Sequence, residues 1–146
     1  MKAIQITSLL NSTDQLVVKT LPDLPASEDH YVVRVQAAGT NFFDVLQVQG
    51  KHQIKPLLPF IAGNEFAGVV LKTPTCRSRH AFLVGDRVFG GALGAFATQV
   101  YAREGDMRRV PDTWKALDAS GLFLTAPTGY TALVHRAQAK PGEFSP

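Results

Sequence analysis

The stretch Pro59–Val70, PFIAGNEFAGVV, decides how the rest of the chain is read. Its second half continues as FAGVVLKT, an apolar run bounded by Gly and Pro, which predicts a β-strand. Gly63, Asn64 and Glu65 lead into that strand. Asn64 offers a neutral amide, a poor zinc ligand beside a thiolate or an imidazole. Glu65 is expected to be a partly buried carboxylate held by hydrogen bonds to nearby backbone.

Outward from this stretch, up to about Val110, the chain is written in strands. MKAIQITS alternates Ile4 and Ile6 with Gln5. HYVVRVQA places Val33 and Val35 on one face and Arg34 and Gln36 on the other. GDRVFGGALGAFATQVYA reads as a turn at Gly85-Asp86, a strand, a Gly-rich turn and another strand, and MRRVP as a short last one. Short strands separated by Gly and Pro turns predict a barrel rather than a layered parallel sheet. The stretch from Thr73 to Gly85 reads as a polar insertion.

One helix interrupts the strands. In TNFFDVLQVQG, Thr40 or Asn41 can cap, Phe42, Val45 and Leu46 follow helical spacing, and Gly50 is placed to end it. After Pro111 the period changes. WKALDASGLFLTA reads as one helix and TGYTALVHRAQA as a second, with Pro127 at the break. Tyr130, Leu133, Val134 and Ala137 form an apolar stripe on the second.

The length of 146 residues suits one domain with a real core, and 45% hydrophobic with 18% charged residues is ordinary globular composition. No apolar run approaches the roughly 20 residues that span a bilayer. The N-terminus lacks signal-peptide and transit-peptide character, so a cytoplasmic location is expected. Cys76 is the single cysteine, which excludes an internal disulfide framework. With His80 it could form half a metal site, but no second pair of ligands accompanies it. The net charge is +3, with arginine clusters at Arg77 and Arg79 and at Arg103, Arg108 and Arg109. No aromatics interleave with the first and no helical stripe joins the two, which disfavours nucleic acid as a partner.

The ordered set AAGTNFFDVLQVQG, PFIAGNEFAGVV, VGDRVFG, GAFATQV and LFLTAPTGYTAL resembles the catalytic domain of the medium-chain dehydrogenase/reductase superfamily. Within it, the likeness is to the zinc-free NADPH:quinone oxidoreductase branch, and it runs from Met1 to about Gly142. The resemblance implies a mainly β fold with α: a GroES-like β-barrel over residues 1–115, then a C-terminal helix pair over 116–146 leading to a Rossmann domain. No Gly-x-Gly-x-x-Gly turn follows Lys140. The Rossmann domain, which would bind most of the NADPH, is therefore expected to be absent, and the chain alone inactive.

The implied activity is zinc-independent hydride transfer from NADPH to a quinone or activated carbonyl. The alternatives are a 2-alkenal or enoyl double-bond reductase and a non-catalytic GroES-like module or truncated product. By resemblance, Asn41, Phe42 and Thr128 would meet the nicotinamide end of NADPH, and Asn41 and Thr128 could equally serve as helix caps. His52 stands where many relatives carry Tyr beside the substrate, and is the candidate proton donor. Leu46 stands where some carry a second Tyr, so Leu46 and Asn64 would line a less aromatic substrate pocket. No metal is expected. Leu122, Phe123 and Leu124 are consecutive, so one helix face cannot bury all of them, and an exposed apolar patch should favour self-association.

Overall fold

Among the described residues, β-branched and aromatic residues in short runs, cut by Gly and Pro, build eight strands around which a few helical turns are laid. The computed structural model describes residues 1–76, 78–140 and 142–143. Arg77, part of the first arginine cluster, and Pro146 lie outside the described residues. In chain order the elements are β1 (Lys2–Ile6), β2 (Val18–Thr20), β3 (Tyr31–Gly39), α1 (Phe42–Val48), β4 (Phe60–Ile61) and β5 (Glu65–Lys72). They continue as β6 (Arg87–Gly91), β7 (Gln99–Ala102), β8 (Met107–Arg109), α2 (Ala116–Ala119) and α3 (Thr125–Tyr130).

The strands form two antiparallel sheets, ordered β2-β1-β4 and β7-β3-β5-β6-β8. The segment before β7 joins them. Ala3 bridges Ala97, Ile4 N–H donates to the Phe96 carbonyl at 2.9 Å, and Thr98 N–H donates to the Lys2 carbonyl at 2.8 Å. On its other side the same segment accepts the Val35 N–H at Thr98 O, 3.0 Å away. Curling one sheet onto the other through this shared segment gives the GroES-like β-barrel. Register shifts in the β3–β5 ladder, between Val32 and Val33 and between Val35 and Ala37, bend β3 on its way to Gly39.

The main core gathers Tyr31, Val33, Phe66, Val70, Val88, Val100 and Met107 inside the larger sheet. The alternation expected for β3 holds from Val33 to Gln36, and Val32 is buried as well. Phe82 joins this core from the stretch expected to be a solvated insertion, meeting the Tyr31 ring edge-on at 5.7 Å. Arg109 pins that stretch from outside through Asp86 at 2.7 Å, the Ala81 carbonyl at 2.8 Å and the Phe82 ring. Cys76 is exposed, while His80 packs on the edge of Tyr31. A second core of Ile6, Val48, Phe60 and Ala62 fastens α1 to the smaller sheet.

The C-terminal part departs from the expected helix pair. The anticipated single helix over 114–126 is only the short α2, whose Ala116 and Ala119 pack with Leu122 on Ala67, Phe89 and Val110. The chain turns through 121–124, and Pro127 lies inside the first turn of α3, not at a break between helices. Its missing N–H is harmless there, because the first N–H groups of a helix have no intrahelical partner. The helix then widens into π-type turns over Thr131–Arg136. Every residue from Thr125 to Lys140 is exposed. The segment expected to change role at residue 116 therefore divides in its packing: α2 lies on the barrel and α3 stands off it.

The turn also decides the fate of Leu122, Phe123 and Leu124. Because they do not share one helix, their side chains diverge, and all three are half-buried. The exposed large apolar residues of this part are instead Trp114, Leu117 on α2 at 75%, and Tyr130, Leu133 and Val134 at 59%, 49% and 45% exposure. Among the described residues no helix is long and apolar enough to cross a membrane.

Candidate functional site

α1 buries polar groups where its spacing suggested an apolar stripe. Asp44, Gln47 and Val48 form its covered face, whereas Phe42 is 77% exposed. Asn41 is the N-cap residue in extended conformation, and the Asp44 carboxylate reaches back to accept the Asn41 N–H at 2.8 Å. The cap is thus made by Asp44 and the backbone, and the Asn41 side chain makes no cap hydrogen bond. That amide is turned inward. Its Nδ2 donates to Glu65 Oε1 at 2.8 Å, and its Oδ1 accepts from the Thr125 hydroxyl at 2.5 Å.

Glu65 opens β5 and is 1% exposed. Oε1 also lies 3.2 Å from Thr125 Oγ1, whose one hydrogen it shares with the closer Asn41 Oδ1, and Oε2 accepts from the Leu124 N–H at 3.0 Å. The carboxylate therefore joins the start of α1 to the start of α3, and among the described residues no ion pair reaches it. Hydrogen bonding substitutes for ion pairing here, which is what a buried carboxylate requires. The expectation of bonding to nearby backbone is met only by Leu124, remote in sequence, and the other partners are side chains.

Asn64, one residue earlier, donates both amide hydrogens, to Asp44 Oδ1 at 2.7 Å and Gln47 Oε1 at 3.0 Å. Only its amide oxygen remains to face a ligand. That donor set does not fit zinc. Asp44 and Glu65 already accept N–H groups, and among the described residues no group of three or more His, Cys, Asp or Glu is placed to hold a metal ion.

The end of α1 places His52. Gly50 takes φ +68°, and the N–H groups of Lys51 and His52 fold back to the Leu46 carbonyl at 2.8 and 3.2 Å. His52 Nδ1 lies 3.2 Å from the Ile54 nitrogen and 3.3 Å from the Ile54 carbonyl oxygen, so it accepts the Ile54 N–H in one tautomer and donates to the Ile54 carbonyl in the other. His52 lies with its ring centroid 5.7 Å from that of Phe43.

Phe43, His52, Ile54, Asn64, Leu93 and Phe123 are among the residues lining a cleft of about 510 Å³, beside the Glu65 cluster. Of the expected site residues, His52 and Asn64 meet there. Asn41 stands behind it through Glu65. Phe42 and Leu46 are not in its lining, and Phe43 supplies the aromatic wall. Thr128 lies inside α3, where its hydroxyl donates to the Leu124 carbonyl at 2.8 Å, so it is not a cap.

Thr125, Asp44 and Gln47 were not singled out from sequence, and Phe123 was expected in an exposed apolar patch and not in a cleft. Asp44 carried a signal, as an acidic residue three positions after a candidate cap. Thr125 carried none, since it meets Asn41 across 84 residues of chain.

Residues 27–132 match the family profile described as "Alcohol dehydrogenase GroES-like domain". The mouse "Quinone oxidoreductase-like protein 2" is 36% identical over 129 residues, which are 88% of this chain and 36% of that protein. Among solved structures, a probable oxidoreductase from Mycobacterium abscessus superposes with a TM-score of 0.88 at 33% identity, covering 98% of this chain and 45% of its own. The Escherichia coli quinone oxidoreductase complexed with NADPH gives a TM-score of 0.82 at 25% identity, covering 96% of this chain and 42% of its own. The chain thus spans less than half the length of these relatives.

Proposed function

Because the chain belongs to the alcohol dehydrogenase GroES-like domain family of the medium-chain dehydrogenase/reductase superfamily, we propose that it is the substrate-side part of an NADPH-dependent quinone reductase working without zinc. The observation that carries this reading is the cleft. Its wall is mostly apolar, and His52, Asn64 and Asp106 are its polar members, beside the buried Glu65 cluster. Such a shape suits a flat, neutral, electrophilic ring better than a sugar or a peptide.

When bound, NADPH supplies the hydride. This chain's residues would do the rest. Asn41 keeps one N–H beyond the one given to Glu65, and it, Phe42 and Thr128 would border the nicotinamide end. The exposure of Phe42 and Thr128 fits that place, since both face away from the barrel. In the tautomer whose Nδ1 accepts the Ile54 N–H, His52 would donate its Nε2 proton toward the substrate oxygen on which negative charge grows. Asn64 has spent both hydrogens and would offer that oxygen nothing, so the burden falls on His52. Phe43, Ile54, Leu93 and Phe123 would exclude water and strengthen that hydrogen bond. The NADPH pyrophosphate and adenosine would be held by a nucleotide-binding domain outside these 146 residues.

The test is a chimaera in which this chain is followed by the part of the E. coli quinone oxidoreductase beyond the matched region. It should oxidise NADPH with a benzoquinone or naphthoquinone, and His52→Ala should lower kcat by about 100-fold, the range of a lost general acid. Running the same assay with a 2-alkenal decides between quinone and double-bond reduction. A chimaera that binds NADPH yet reduces neither substrate refutes the proposal.

A further inference from the structure

Glu65 sits between two glycines. Across β5 its neighbours are Gly39 on β3 and Gly91 on β6. A Cβ on Gly39 would lie 2.7 Å from Glu65 Oε1 and 2.8 Å from the Ser120 carbonyl, and one on Gly91 would lie 2.7 Å from the Phe123 ring. The side chain of Glu65 crosses the first gap and Phe123 fills the second. Together they seat the segment that leads into α3. Beyond that seat α3 has no cover, since every residue from Thr125 to Lys140 is exposed.

The start of α3 also lacks a cap of its own. Leu124 is the N-cap residue, in helical conformation and without a capping side chain. Its N–H is taken by Glu65 Oε2 from another element at 3.0 Å. A carboxylate at this end also favours the helix electrostatically. The other oxygen of the same group holds the Asn41 amide at 2.8 Å, and the Thr125 hydroxyl closes the triangle onto Asn41 Oδ1 at 2.5 Å.

We infer that Glu65 is the positioning residue of the site, tying the direction of α3 and the orientation of the Asn41 amide into a single coordinate. A swing of α3 displaces Leu124 N–H and Thr125 Oγ1 together. Both are bonded to the group that orients Asn41, so the amide turns with the helix. Asn64, whose hydrogens go to Asp44 and Gln47, meets this network only through Asp44, which holds the Asn41 backbone N–H and not its side-chain amide. The inference rests on the proposed function only for the use made of Asn41; the coupling itself is a property of this chain.

The coupling can be read in the ¹⁵N-labelled chain without any cofactor. In Thr125→Val, an exposed site where folding is secure, the side-chain NH₂ signals of Asn41 should shift while those of Asn64 do not. In Glu65→Gln the Asn41 NH₂ and the Leu124 N–H should both move, and Leu124 should lose at least about tenfold in hydrogen-exchange protection relative to amides of β3. An Asn41 signal unmoved by Thr125→Val overturns the inference, and so does Leu124 protection that falls only in step with every other amide. Should Glu65→Gln not fold, the Thr125→Val spectrum decides alone. A shift in that spectrum together with an inactive chimaera would reject the proposed reaction and leave the positioning role standing.

Discussion

Gly39 faces Glu65 across the β3–β5 ladder so closely that the Cγ and Oε1 of Glu65 occupy the space a Gly39 side chain would need. The Ser120 carbonyl closes the same space from the other side, so relief by a rotamer change is blocked. Gly39→Ala should therefore cost about 1–3 kcal/mol, the usual range for overpacking. Urea unfolding checks the loss, and Gly39→Ala combined with Glu65→Ala should recover part of it. A double variant no better than the sum of the singles would show that the backbone carbonyl, not Glu65, is the obstacle.

Asn64 is the donor between two buried acceptors, and its replacement by the isosteric acid inverts that role. Asn64→Asp sets a carboxylate against Asp44 Oδ1 at about the present 2.7 Å. The expected destabilisation exceeds about 2 kcal/mol at neutral pH, from the lost hydrogen bonds and the like charge. Lowering the pH should restore stability as one carboxylate of the pair is protonated. Thermal unfolding at two pH values gives the answer, and a variant insensitive to pH would refute the assigned amide orientation.

Tyr31 donates its hydroxyl to Glu104 Oε2 at 2.6 Å from the main core. Burial, and then the Glu104 hydrogen bond, holds its phenol above the usual tyrosine value of about 10. The folded state thus keeps the proton longer than the unfolded chain does. Its contribution is complete below about pH 10 and is lost as pH rises through the raised folded value. Tyr31→Phe should cost about 1 kcal/mol at neutral pH and remove this part of the alkaline decline, as denaturation along a pH series would show.

The zinc expectation is open to direct measurement. With Asn64 offering only an amide oxygen and Cys76 out on the surface, protein purified without chelator should hold far less than one zinc per chain. Elemental analysis after dialysis is the check. Stoichiometric zinc that survives it would overturn the reading of the site.

Tyr130, Leu133 and Val134 form the exposed apolar stripe on the standing helix. Contact between such stripes removes apolar area from water at about 25 cal/mol per Å². The isolated chain should self-associate at micromolar concentration, and Leu133→Lys with Val134→Lys should make it monomeric in sedimentation velocity. If the wild-type chain already sediments as a monomer at those concentrations, the stripe is not adhesive.

Most of the barrel was legible in the sequence, because its signals are local. Alternation marked β1 and β3, an apolar run between Gly and Pro marked β5, Gly turns marked off β6 and β7, and Asn41 and Gly50 bounded α1. The ordered motifs likewise carry the GroES-like family in the sequence alone. What escaped was everything set by long-range pairing. The buried face of α1 carries Asp44 and Gln47 because their acceptors are needed by Asn64 on another element, and no helical period announces that. α2 stops early because Ala116, Ala119 and Leu122 fit the barrel wall at Ala67 and Val110, which ends the helix where the contact ends. Thr125 reaches Asn41 and Glu65, while the Thr128 hydroxyl bonds back to the Leu124 carbonyl, because Glu65 catches the backbone of Leu124 from a remote strand. Spacing along the chain determines which residues can share an element. Only the packed structure decides which buried acceptor finds which donor, since a buried polar group left unpaired costs more than local preference can supply.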